Sequence, residues 1–151
     1  MTESALKRRT YILCGAILFA VSILCFGIIK FQAPSNKIKA KIGGKTILLE
    51  LVDSEAERMA GLSNRATLEE NHGMLFKFDK PARKCFWMKD MNFSLDILWF
   101  DENKNMVHHE HDVSPATYPD SFCADNTKYV VEINAGTMKN LGIGETARLE
   151  L

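Results

Sequence analysis

The 151-residue chain has no excess charge of either sign: 19 Lys and Arg balance 19 Asp and Glu. That argues against the basic surface of a nucleic-acid binder. Its four cysteines include no CxxC pair, which speaks against dithiol redox catalysis. Four prolines and nine glycines are too few for a collagen-like or low-complexity chain. There is no HExxH spacing, so a zincin-type metal site is excluded. There is no internal repeat.

One absence is local. From Tyr11 to Ile29 no residue is charged, and nearly every position is apolar. Nineteen helical residues span roughly 28 Å, about one bilayer core. The run follows Lys7, Arg8 and Arg9 and ends at Lys30. A cleaved signal would have a shorter apolar region closed by an A-x-A-like site, and no convincing one follows. The expected organisation is a basic leader over residues 1–9, a transmembrane anchor or signal segment over 10–31, a linker over 32–36 and a domain over 37–151. Lys30, Lys37, Lys39, Lys41 and Lys45 follow the run, so flanking charge alone does not set its orientation. A short basic leader before a single apolar helix is the usual export signal. A cytoplasmic N-terminus is therefore expected, with the domain on the extracytoplasmic side of the cell membrane. Without residues 1–31 the chain keeps 15 Lys and Arg against 18 Asp and Glu, a net of −3.

What the domain does have is alternation. Lys37 to Ile42 and Lys45 to Val52 each read as half-buried strands with period two. Gly43-Gly44 between them suits a two-residue hairpin turn. Ser54 and Glu57 form a capping box for a two-turn helix that Gly61 ends. Further strands are expected at Met74–Phe78, Arg83–Met88, Leu95–Phe100, Met106–His111, Lys128–Ile133 and Glu145–Leu151. Asp79–Ala82 is expected as a turn and Asp112–Asn126 as a long irregular loop. A second short helix is expected at Thr137–Leu141. The fold class is therefore mainly β (α+β): a small curved antiparallel sheet or partly closed β-barrel with two short helices, preceded by one transmembrane helix.

Several segments occur in a distinctive order: Glu57-Arg58-x-x-Gly61-Leu62, Gly73-Met74-Leu75-Phe76, Phe86-Trp87-Met88-Lys89, Leu95-Asp96-Ile97-Leu98 and Tyr129-Val130-Val131-Glu132. Gly136 and Ile143-Gly144 follow. From about Lys37 to Leu151 the chain resembles the bacterial and archaeal family called domain of unknown function 192. The resemblance implies a compact β-rich domain, often behind a signal or anchor. It carries no settled biochemical activity.

Charges placed on strands are the main chemical signal. Asp96 shares a strand face with Leu98 and Phe100, and Glu132 shares one with Val130. A carboxylate on an apolar face must be paired or neutralised. Arg58 and Lys89 are the candidate partners, backbone N–H groups being the alternative for Asp96. The arrangement fits either a structural network holding helix to sheet or a polar pocket with Trp87 and Tyr118 as walls. Arg58, Trp87, Lys89, Asp96, Tyr118 and Glu132 form the candidate pocket. Acid/base catalysis by Asp96 and Glu132 is a third reading, weakened because no nucleophile or metal set accompanies them.

His109 and His111 face one side of a strand and form a candidate metal pair, against the plainer reading of a solvated hairpin edge. Met88, Met91 and Met106 suit soft copper, but also core packing. Cys14 and Cys25 fall inside the apolar run. Cys85 and Cys123 are a candidate disulfide if the domain is exported, or two buried thiols otherwise. The expected function is a membrane-anchored binding or accessory module without catalysis or cofactor. Its partners would be the membrane, through residues 10–31, and a ligand or protein of the envelope, with no nucleic acid. The alternatives are an envelope enzyme using Asp96 and Glu132, or a metal-handling protein using the His108–His111 cluster.

Overall fold

A computed structural model describes residues 36–151. The expected anchor, with Cys14 and Cys25, lies outside the described residues. Among those described, no helix is long and apolar enough to cross a membrane.

The domain is mainly β: one seven-stranded sheet, curled into a half-barrel, with two short helices. The strands are β1 (Lys37–Ile42), β2 (Lys45–Val52), β3 (His72–Trp87), β4 (Leu95–Phe100), β5 (Met106–Val113), β6 (Ser121–Asn134) and β7 (Leu149–Glu150). Helix α1 (Glu55–Ala60) joins β2 to β3, and α2 (Thr137–Leu141) follows β6. The spatial order is β5-β4-β6-β3-β2-β1-β7. At one end the two edges meet: the Met106 N–H donates to Ala147 O at 3.1 Å, and the Leu149 N–H to Lys104 O at 2.9 Å.

Local rules account for the first elements. In β1 the lysines face out while Ala40 and Ile42 are buried. Gly43 and Gly44 take φ of +56° and +78°, which a two-residue turn of this hand requires. At α1 the Ser54 hydroxyl accepts from the Glu57 N–H and the Glu57 carboxylate accepts from the Ser54 N–H, completing the expected capping box.

The strands depart from the expectation in four ways. Strands β2 and β3 run parallel, with Leu51 opposite Leu75. A parallel pair needs a crossover, and α1 with the segment to His72 supplies it. Met74–Phe78 and Arg83–Met88 are not two strands. They belong to one 16-residue strand that passes through register shifts between Lys77 and Lys84. Pro81 lies in that irregularity, where its missing N–H costs no ladder bond. The expected loop over Asp112–Asn126 is likewise shorter, since β6 begins at Ser121 and pairs with the far half of β3. The last strand is only Leu149–Glu150.

The sheet buries both of its faces. The concave side holds Ile42, Ile47, Leu49, Leu75, Leu98, Phe100, Val131 and Ile133, with Met138 of α2 and Ile143 packed in as well. The other side holds Met74, Phe76, Ile97, Trp99 and Val130, packed with Leu62 and Met88 from the connecting segments. All six residues of β4 are therefore buried, which is why Leu95–Phe100 is apolar on both faces apart from Asp96. Met88 lies in this second core, while Met91 and Met106 pack against one core or the other, so the methionines serve as core filling.

Candidate functional site

The register of β6 against its neighbours decides the site. Asp96 pairs with Ile133 and so faces the concave core, whereas Ile97 pairs with Glu132 on the opposite face. Successive side chains of a strand alternate between faces. The two carboxyls therefore belong to different places, and the single concavity expected from the sequence is two.

Glu132 forms part of a cleft of about 550 Å³ on the outer face. Its cross-strand neighbours are Ile97 on β4 and Met74 on β3, neither of which offers a hydrogen-bond donor. The residue is 5% exposed, and no described side chain bonds to its carboxyl. Burial pushes its pKa up to about 8, only partly opposed by the positive charge of Arg65. Arg65 is itself held by Glu50, through Nη1–Oε1 at 2.9 Å and Nη2–Oε2 at 2.8 Å. That bidentate pair lowers the Glu50 pKa. Glu132 is thus neutral through most of the physiological range and can both donate and accept a hydrogen bond. Beside it the backbone is tight: a Cβ on Gly73 would lie 2.6 Å from Glu132 O.

The walls are aromatic. Phe76 and Phe86 meet edge to face at 4.8 Å, and Phe86 meets Trp99 at 6.1 Å. Trp87, 57% exposed, stands at the lip. Helix α1 and the Gly61–Asn64 segment close the other side. That segment is tied to the strand end by the Asn64 N–H to Asp90 O at 2.8 Å and the Ser63 hydroxyl to Lys89 O at 3.0 Å. Arg58 is fixed by donating to the carbonyls of Asp53 and Lys77. Its guanidinium lies over the Phe78 ring at 5.2 Å, and the Lys84 ammonium lies over the same ring at 4.1 Å.

Of the six residues expected to share one pocket, Arg58, Trp87, Lys89 and Glu132 line this cleft. Tyr118 is not in the lining; it packs on Trp87 from outside, ring centroids 6.2 Å apart. Asp96 is elsewhere. It is fully buried and accepts from the N–H groups of Asp112 at 3.1 Å, Gly136 at 3.1 Å and Met138 at 2.9 Å. Its partners are backbone groups at the end of β5 and the start of α2, not Lys89 or Arg58. It borders a second cavity of about 640 Å³, where His111 Nδ1 lies 4.0 Å from its Oδ1.

The structure also places the remaining candidates. His109 and His111 meet edge to face on β5, ring centroids 4.6 Å apart. Among the described residues no three His, Cys, Asp or Glu side chains gather as a metal site. Cys85 and Cys123 are cross-strand partners, Cα atoms 4.1 Å apart and joined Sγ to Sγ at 2.05 Å. The bond links β3 to β6, not a strand to a loop. Residues not singled out from the sequence, Phe76, Phe78, Phe86, Arg83 and Lys84, complete the cleft. Their signal was the period-two spacing of Phe76 and Phe78 on one strand, which reads equally well as core.

A family model described as "Uncharacterized ACR", domain of unknown function 192, matches residues 38–151. The chain belongs to that family. Two solved structures share the family member's fold. One, from Sinorhizobium meliloti 1021 and described as a candidate transcription regulator, has a TM-score of 0.73 at 28% identity. That match covers 79% of this chain and 96% of the other. The second, a protein of unknown function from Novosphingobium aromaticivorans DSM 12444, has a TM-score of 0.73 at 25% identity. There 80% of this chain and 89% of the other are covered. No functionally curated protein matches the chain.

Proposed function

We propose that this chain is a single-pass membrane protein whose β domain works on the extracytoplasmic side as a non-catalytic binding module. Its site is the cleft over Glu132. The observation that carries the binding reading is Glu132 itself. Its carboxyl has no side-chain donor among the described residues and reaches the space of an aromatic-walled cleft, where a ligand can bond to it. The membrane reading rests on the uncharged run Tyr11–Ile29. The paired cysteines fit an oxidising compartment.

The enzyme alternative loses its premise in the register. Asp96 and Glu132 face opposite sides of the sheet, and Asp96 is occupied by three backbone donors. The two do not converge on one reacting atom, as a paired acid and base must.

Two measurements test the proposal. Full-length protein should stay with membranes in alkaline carbonate, and its Cys85 and Cys123 should resist alkylation until reduced. Mature protein beginning near residue 30, or alkylation of Cys85 and Cys123 before reduction in freshly isolated protein, overturns the location. For the site, native mass spectrometry of full-length protein from its own host should show a retained small molecule. Lys89→Met should lose that molecule while keeping the fold. Equal retention by Lys89→Met, or nothing retained by the unmodified chain, counts against the cleft as a binding site.

A further inference from the structure

We infer that the cleft over Glu132 takes an organic anion with a flat apolar body, of the arylalkyl carboxylate class. This rests on the binding reading and adds the charge and shape of the ligand.

The charge follows from which groups are already neutralised. Arg58, Arg83, Lys84 and Lys89 line the cleft, against the carboxyl side chains of Glu55 and Asp90 besides Glu132. Arg58 gives only Nη1 to two carbonyl groups, which leaves its charge in place and its other donors open. Among the described residues no carboxylate lies within ion-pair distance of Arg58, Lys84 or Lys89, and Arg83 meets Asp125 only at 3.8 Å on an exposed surface. Arg58 and Lys84 converge on the single ring of Phe78, two like charges with no ion-pair partner among the described residues. Excess charge of one sign around a low-dielectric concavity focuses its field and draws the opposite charge. The same two cations already occupy Phe78, which argues against an aromatic cage for a cationic ligand.

The shape follows from the walls. Phe76, Phe86 and Trp87 offer ring edges and faces that suit a planar body. Glu132 lies among apolar neighbours, so a charged head placed beside it would be desolvated without compensation. The apolar body therefore goes inward, where the neutral carboxyl of Glu132 meets a ring N–H or a hydroxyl. The carboxylate stays at the rim, where charge-assisted bonds to Lys84, Lys89 or Arg58 remain open to it.

The test uses three indoles of matched size and different charge on the full chain at pH 7: indole-3-acetate, indole-3-acetamide and tryptamine. Titration calorimetry should show the acetate binding about tenfold tighter than either of the others, the size of one charge-assisted hydrogen bond. In a Lys84→Met/Lys89→Met variant the acetate and the acetamide should bind within about threefold of one another. That variant leaves the Trp99 bond to the Lys84 carbonyl, a backbone contact, intact. If the acetamide or tryptamine binds as tightly as the acetate, the anion inference falls and the cleft remains a binding site. If none of the three binds, the ligand class is wrong. Whether the cleft binds anything is then answered separately by the molecule retained from the host.

Discussion

Replacing Glu132 by Gln should make the domain more stable at pH 8 and remove most of its loss of stability above pH 5. The cause is the difference between the two states of one carboxyl. In the folded chain burial holds the Glu132 pKa at about 8, while in the unfolded chain it returns to the ordinary value of 4.5. Between those values the folded state keeps a proton that the unfolded state gives up. Stability therefore falls as pH rises from about 4.5 to about 8 and levels off above. At 1.36 kcal/mol per pH step the penalty at pH 8 is on the order of 4–5 kcal/mol. For a domain of this size that corresponds to a Tm lower by roughly 15 °C. Gln has no proton to lose and fits the same space, so Glu132→Gln should show nearly flat stability from pH 5 to 8.

Other carboxyls act in the opposite direction at lower pH. Glu50, held by Arg65, has a lowered pKa, and so does Glu57, held by the Ser54 hydroxyl and N–H. Their contributions are present above about 4.5 and are lost as pH falls through their folded values. Maximum stability should therefore lie near pH 5, lower than for most proteins. Thermal unfolding followed by circular dichroism across pH 4–9 measures this directly. A Tm that rises steadily from pH 5 to 8, or a slope that Glu132→Gln leaves unchanged, means that Glu132 is ionised in the folded state. The cleft would then carry a fixed negative charge at its base, and both its pH behaviour and its preference for an anion would have to be abandoned.

How much of this was legible in the residues depends on the distance over which each decision is made. Decisions made within a few residues were readable. The Gly43-Gly44 turn, the capping box at Ser54 and the alternation of β1 follow from local sterics and short hydrogen bonds. The face of each strand was readable too: Asp96 does lie with Leu98 and Phe100, and Glu132 with Val130. What alternation cannot give is the register between strands, because a shift of one residue exchanges faces and leaves every strand's own pattern unchanged. Ile97 opposite Glu132 is such a decision, and it separated a pocket that the residue types alone had joined. The irregularity between Lys77 and Lys84 was hidden for another reason. Asp79, Lys80 and Pro81 are what a tight turn would use, and a bulged strand uses the same residues. The continuous β3 is what brings Phe86, Trp87 and Lys84 back over the face that carries Phe76 and Glu132. Most of the cleft was therefore invisible until that strand was known to be one. The parallel pairing of β2 with β3 was missed because a two-turn helix does not by itself announce a crossover, and α1 is the crossover that a parallel neighbour needs.

Asp96→Ala should be the most damaging single substitution in the concave core. Three N–H groups converge on this carboxylate, from Asp112 at the end of β5 and from Gly136 and Met138 at the start of α2. It thus fixes two segments, far apart in the chain, against the end of β4. Alanine removes both acceptor oxygens and leaves buried donors behind, at a cost of about 3–5 kcal/mol and a fall in Tm of roughly 12–20 °C. Asp96→Asn separates acceptor geometry from charge. Asp112 and Gly136 share Oδ1, whereas Met138 alone uses Oδ2. An asparagine whose oxygen takes the Oδ1 position keeps two bonds and sets its NH₂ against the Met138 N–H, so its cost should be smaller, about 1–3 kcal/mol. The two carboxyl sites also predict an additivity. Because Lys89 borders the other cavity, on the opposite face, Asp96→Asn and Lys89→Met should add within about 0.5 kcal/mol. A coupling above 1 kcal/mol would restore the ion pair that the residue types first suggested. If Asp96→Ala unfolds within a degree or two of the unmodified chain, water satisfies the three donors and the carboxylate does not hold α2 in place.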